Sequence, residues 1–283
     1  MSITKILALV LNAMLTLSGA AAQGKTWDTV QIATEGAYPP WNFSRPDGSL
    51  DGFEVELAND LCARMKVKCR IVAQDWDGMI PALNAGKYDA VMAGMDITEK
   101  RLEVLNFSRP YASEPASFGV SKSGPLAKLP GDGVRYDLTA NPAEAMKVIE
   151  VMKPLLKRMS VGVQVSTNHA VFLDTYFKGA VEVRAYKTTQ QHDLDLLAGR
   201  IDAIFGSLSA LRATFESPDF ADFTMAGAQF LGGVFGRGVG VGLRKSDPEL
   251  KRMFDDAIAA ARADGTLQKL SLKWFKADLT PKE

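Results

Sequence analysis

Arginine near the start of a helix is a two-pronged grip for a carboxylate, and Arg101 stands there, just after Thr98 and Glu99. Its guanidinium offers parallel N–H donors that a lysine ammonium cannot copy. Glu35 and Tyr38 follow the apolar segment Thr29 to Thr34, and Trp76 opens the stretch after Lys68 to Ala73. Tyr38 and Trp76 can sandwich an aliphatic stem or a guanidinium plane, and Glu35 can pair with a cationic end. This is an inventory for holding a small charged molecule. Residues for breaking bonds are not evident: the sequence has no G-x-S-x-G elbow, no P-loop and no histidine pair at metal spacing. We therefore expect no enzyme activity, no cofactor and no metal. Of the two histidines, His192 beside Asp193 reads as a solvated helix residue. His169, at a strand-to-helix loop, reads either as a ligand contact or as a capping and packing residue.

These side chains need elements to aim them. The run Asp89 to Asp96 is apolar and short, as a buried parallel strand is, and Thr98 is a suitable N-cap for the helix that carries Arg101. Ala93, Gly94 and Asp96 would then sit at a strand tip beside a helix N-terminus, where open α/β sheets bind ligands. Upstream, Phe53, Leu57, Leu61 and Met65 recur at helical spacing, a turn at Pro46-Asp47-Gly48 closes a hairpin, and Gly86 ends a helix begun near Trp76. The order is β, α, β, α, β, a parallel doubly wound pattern. Residues 115 to 120 read as an extended crossover, and residues 122 to 158 say little beyond a helical pattern through Met146, Ile149 and Met152. The rhythm restarts with strands at 161 to 165, 181 to 185 and 201 to 205, the first followed by Ser166-Thr167-Asn168-His169 and the last by Gly206-Ser207. The alternating glycines of Gly236 to Gly242 read as a hinge strand requiring close backbone approach, and two helices end the chain. Two α/β lobes with a cleft between them are the expected architecture.

Totals narrow the class. The 283 residues carry 33 Lys and Arg against 33 Asp and Glu, so no basic surplus suggests nucleic acid or anionic lipid. Residues 1 to 22, with Lys5, an apolar segment from Ile6 to Leu17, and Ala20 and Ala22 before Gln23, read as a cleaved signal peptide. A membrane anchor would need about 20 apolar residues, and Asn12 and Thr16 interrupt this run. Export favours a small disulfide between Cys62 and Cys69, with two buried thiols or a metal site as the other readings.

The segments IATEGAYPPWNF, LDGFEVELANDLCARMKVKC, WDGMIPALNAGKYDAVMAGMDITEKR, VGVQVSTNHAVF, LLAGRIDAIF, VGVGLRKSDPELK and ADGTLQKLSLKWF resemble the periplasmic solute-binding proteins of ABC importers for polar amino acids and opines. ATEGAY, WDGMIPAL and LSLKWFKADLTP are most similar to the octopine and nopaline branch. The resemblance implies the type II periplasmic binding protein fold, with lobe 1 at residues 23–113 and 238–283 and lobe 2 at 114–237. It also implies the Cys62–Cys69 disulfide, a monomer, and an inner-membrane ABC permease as partner. Arg101 falls on the carboxylate grip, Tyr38 and Trp76 on the aromatic walls, Glu35 on the reader of the distal cation, and Ala93, Gly94 and Asp96 along the strand tip. Closure would add Gln164, Ser166, Asn168, His169 and Ser207. Binders of free amino acids place an aspartate where this chain has Ser207, which leaves room for an amine bearing a second, carboxylated substituent. An arginine-derived opine is the expected ligand. A basic or other polar amino acid is the alternative, and a prephenate- or arogenate-type dehydratase the more distant one.

Overall fold

The computed structural model describes residues 26–281, so the expected signal peptide lies outside the described residues. Strand β1 (Thr29–Thr34) pairs in parallel with β5 (Lys68–Ala73) on one side and with the short β6 (Ala90–Val91) on the other. Between them lie the hairpin strands β2 (Ala37–Tyr38), β3 (Asn42–Ser44) and β4 (Leu50–Asp51), then helix α1 (Phe53–Met65). A 3-10 turn at Trp76–Gly78 leads into α2 (Met79–Asn84). Helix α3 (Glu99–Leu102) is a single turn, capped by Thr98, and β7 (Asn106–Phe107) follows. These elements hold residues to the expected ends of the strands, because β1 and β5 are in full register over six pairs.

Strand β8 (Ala116–Ser121) corrects the reading of residues 115 to 120 as a crossover. It is buried along five of its six residues and lies inside a second, six-stranded sheet. That sheet holds β9 (Arg135–Asp137), β10 (Ser160–Gln164), β11 (Glu182–Tyr186), β12 (Ala203–Ser207) and β13 (Phe223–Leu231). Strand β10 runs parallel to β11 and β12, whereas β8 is antiparallel to both β12 and β13. Helices α4 (Pro142–Leu155), α5 (Asn168–Tyr176), α6 (Thr189–Leu197) and α7 (Leu208–Phe215) cover it. In the obscure 122 to 158 segment, α4 buries Ala145, Ile149 and Met152 completely.

The chain then returns to the first sheet. Strand β14 (Gly242–Leu243) inserts antiparallel between β6 and β7, and α8 (Pro248–Ala263) and α9 (Thr266–Phe275) pack beside α1. The return segment touches the outgoing one through isolated bridges of Val239 with Asp96 and with Ala112. Gly236 makes this contact possible: its φ is +73°, and a Cβ there would meet Ile97 O at 2.1 Å. Among several hydrophobic clusters, one gathers Trp41, Phe53 and Phe275, and another Phe118, Phe172, Phe205 and Phe230. The Cys62–Cys69 disulfide ties α1 to β5, closing a short loop worth about 2 kcal/mol by chain entropy. No helix among the described residues is long and apolar enough to cross a membrane.

Candidate functional site

The two sheets face each other across a cleft, and hydrogen bonds join its walls. Gln164 Nε2 donates to Glu35 Oε1 at 2.7 Å, Asn168 Nδ2 to Asp96 Oδ2 at 2.9 Å, and Trp41 Nε1 to Ser209 Oγ at 2.8 Å; Tyr38 Oη and Ser207 Oγ lie 2.6 Å apart. Between the walls lies a chamber lined by Glu35, Tyr38, Trp76, Ala93, Gly94, Asp96, Arg101, Gln164, Thr167, Asn168 and His169. Two further chambers share Tyr38 and His169 with it.

Arg101 is held by its own short helix. Its backbone N–H donates to Thr98 Oγ1, its Nη1 donates to Asp96 O at 2.9 Å, and its guanidinium carbon lies 5.3 Å from the Trp76 ring centre. Only 8% of the residue is exposed. Glu99 pairs with Arg237 instead, at 2.7 Å, so Arg101 keeps donors for a ligand carboxylate. Trp76 adds a buried Nε1 that has no hydrogen-bond partner among the described residues.

Gly94 brings the strand tip close to Tyr38. With φ at +61° a Cβ would sit 2.9 Å from Tyr38 Cε1, and the Gly94 N–H is held by Glu54 Oε1 at 2.7 Å. Glu54 is buried beneath this turn and also accepts from Asn42 and Tyr111.

Burial is the largest influence on the cleft acids. It pushes Glu35 up to about 7 against the opposing Gln164 hydrogen bond, with Glu54 and Asp75 adding to the rise. Asp96 is pushed to about 6, held back by Arg101 and Asn168. His169 goes the other way, to about 3, because burial, His192 and Arg101 all disfavour its cation. It therefore stands in the wall as a neutral imidazole, packed 5.8 Å from the ring centres of both Phe205 and Phe235.

Two expectations change. His192 is 3% exposed and not solvated: α6 lies close over Gly162, where a Cβ would come within 3.0 Å of His192 Cβ. It lines the second chamber with Thr189, Asp193, Ser207 and Thr214. Ser166 is exposed and lines none of the three chambers. It takes a left-handed turn, φ +59°, between β10 and the N-cap Thr167, so Thr167 reaches the main chamber in its place. Ser207 borders the two neighbouring chambers.

The third chamber contains a residue that the sequence did not mark, Glu114. It sits with Tyr38, Trp41, Gly94, Asp96, Ala116, His169 and Ser207. Its Oε2 accepts from Ser209 N at 2.9 Å and its Oε1 from Ser209 Oγ at 2.8 Å, and Ser207 lines the same chamber. Burial still raises its pKa to about 7. Nothing local in Ser113-Glu114-Pro115 announces this position, which depends on β8 and β12 pairing.

A closed two-lobed cleft with one arginine, an aromatic wall and several reluctant acids defines a solute-binding protein. A family model of bacterial extracellular solute-binding proteins, family 3, matches residues 30–277, and the chain belongs to that family. An octopine-binding periplasmic protein of Rhizobium meliloti is 47% identical over 93% of this chain and 94% of its own length. An L-arginine-binding protein of Pseudomonas aeruginosa is 34% identical over 88% of this chain and 89% of its own. A solved periplasmic His/Glu/Gln/Arg/opine family-binding protein from Silicibacter pomeroyi in complex with lysine shares the fold at a TM-score of 0.71, with 34% identity over 89% of this chain and all of that one.

Proposed function

We propose that this protein captures an arginine-derived opine, octopine-like, in the periplasm and delivers it to the permease of an ABC importer. It acts as a monomer and not as an enzyme, after export directed by residues 1 to 22. The observation that carries the ligand reading is that the main chamber is lined by both an arginine, Arg101 against the Trp76 face, and an acid, Glu35, held by Gln164. Arg101 takes the α-carboxylate, Tyr38 and Trp76 flank the side chain, and Glu35 takes the guanidinium. Ser207 lets the amine's carboxylated arm pass into the neighbouring chamber, towards Thr189 and His192, while Thr214 holds the Asp193 carboxylate of that chamber. Lobe 1, residues 23–113 with 238–283, and lobe 2, residues 114–237, rotate about the strands that cross between them, and Asn168 and Gln164 close on Asp96 and Glu35. Prephenate- or arogenate-type dehydration needs a general acid free to act, whereas Glu35 and Asp96 are engaged by Gln164 and Asn168.

A thermal-shift series with octopine, nopaline, arginine and lysine tests the ligand, since a tight ligand raises the melting temperature by mass action. Octopine is expected to give the largest shift. A larger shift with arginine would overturn the opine assignment.

Binding should also depend on pH. A guanidinium favours ionised Glu35, and Glu35 in the ligand-free cleft is largely protonated below about 7. Binding must then release a proton in that range, so affinity rises with pH between about 5 and 7, by roughly tenfold per unit, and levels off above. Calorimetry in buffers of different ionisation enthalpy reads both the slope and the proton. Flat affinity over this range would remove Glu35 from the guanidinium.

A further inference from the structure

The chamber beside Ser207 contains two carboxylates, Asp96 and Glu114, and neither a lysine nor an arginine lines it. Its histidine, His169, is held neutral. An enclosed space of this kind disfavours anions and favours one small cation. The two acids differ in how they are used. Asp96 receives Asn168 across the cleft, and its backbone oxygen receives Arg101. Glu114 stands where the chain enters β8, with both oxygens held by Ser209. A carboxylate offers about four acceptor positions, and Ser209 N and Ser209 Oγ fill two of them. The others are open, on an acid already fixed in place by hydrogen bonds.

An α-amino or α-alkylamino acid carries its nitrogen one carbon away from its carboxylate. With that carboxylate on Arg101, the nitrogen lies beside Asp96, which lines both the main chamber and this one. We propose that Glu114 is a specificity-determining residue of the cleft, the counter-anion that selects ligands with a protonated α-nitrogen. Glu114 and Asp96 then form the cation subsite, and Ser207, paired with Tyr38, lines it beside them. This rests on the reading that Arg101 holds the ligand's α-carboxylate, but not on the ligand being an opine.

Glu114 also organises the closed wall: Ser209 Oγ, which donates to it, accepts from Trp41. A test must separate that structural part from recognition of charge. Calorimetry would compare L-arginine with argininic acid, in which a hydroxyl replaces the amine, on wild type, Glu114→Gln and Ser209→Ala. Glu114→Gln is expected to weaken arginine by about tenfold or more and to change argininic acid by less than about threefold. Ser209→Ala keeps the carboxylate and is expected to weaken both ligands by the same factor. Equal losses for both ligands in Glu114→Gln, or no loss for either, would overturn the proposal. If Glu114→Gln does not fold, Glu114→Asp, which retains the charge on a shorter stem, is expected to lower arginine affinity alone; equal losses again overturn it. Octopine is included as a third ligand. A wild type that binds arginine and ignores octopine rejects the opine assignment and leaves the arginine pair to judge Glu114.

Discussion

Arg101→Ala is expected to reduce affinity for the proposed opine, and for arginine, by about 2 to 5 kcal/mol, the usual loss when one partner of a buried, hydrogen-bonded charge pair is removed. That is roughly thirty-fold to several thousand-fold in dissociation constant. The side chain is 8% exposed, and Asp96 O accepts from it as a neutral carbonyl, so it pays for burial with little ion pairing in the ligand-free cleft. Burial in fact lowers its pKa, with Asp96 as the opposing influence. Removing such a cation should leave the ligand-free melting temperature unchanged or raised, because an incompletely compensated buried charge is a weak contributor to stability. Binding is therefore lost without a matching loss of stability. Arg101→Lys keeps the charge and loses the fork, and an intermediate loss is expected. Calorimetry together with unfolding of the ligand-free protein reads both; unchanged affinity in Arg101→Ala would sink the assignment.

Loss of Arg101 would also change its neighbour. Asp96 is held at about 6 partly by that guanidinium, and without it the acid should stay protonated to higher pH. The affinity slope attributed above to Glu35 should then steepen or shift, whereas Glu35→Gln should flatten it. These two variants separate Glu35 from Asp96, and the slope in Glu114→Gln reads the proton that Glu114, also raised to about 7, would release.

Several parts of the cleft could be read locally. Thr98 marked the start of the helix bearing Arg101, and the Thr29 to Thr34 strand placed Glu35 at its end; both follow from short-range rules of capping and periodicity. The glycines from Gly236 to Gly242 announced close approach, because only a backbone without Cβ fits against Ile97 O. What stayed hidden depends on contacts far apart in sequence. Residues 115 to 120 look like a connection until β12 and β13 flank them, and β13 had no local signature at all. Glu114 acquires its surroundings from the same pairing. His192 looks exposed on a helix whose polar residues are charged or amidic, yet Gly162 beneath it lets the helix settle onto β10. Ser166 misled in the opposite sense: a left-handed turn, invisible in residue type, directs the neighbouring Thr167 to the chamber. The chemical classes of the cleft residues were thus legible where a strand end or a cap fixes them, and obscure where a second lobe does.

Glu54 is the other position where a large effect is expected, this time on stability. It reads as an ordinary first-turn acid of α1, favourable to the helix dipole. Its carboxylate is instead 1% exposed and accepts three hydrogen bonds, from Gly94 N at 2.7 Å, Asn42 Nδ2 at 2.6 Å and Tyr111 Oη. Burial raises its pKa while those three bonds pull it down. Alanine would leave all three donors facing an apolar gap, and stranded buried donors cost about 1 to 3 kcal/mol each before relaxation or water. Because relaxation recovers part of that sum, the expected destabilisation of Glu54→Ala is about 3 to 5 kcal/mol, read by denaturant unfolding of the ligand-free protein. Glu54→Gln retains one acceptor oxygen and the side-chain volume, and should lose less. The same change should weaken ligand binding, since Glu54 fixes the Gly94 turn against Tyr38 and so sets the wall of the main chamber. A Glu54→Ala protein within about 1 kcal/mol of wild type would mean that water or rotamer changes satisfy these donors, and that the turn carrying Gly94 and Asp96 holds its shape without the acid beneath it.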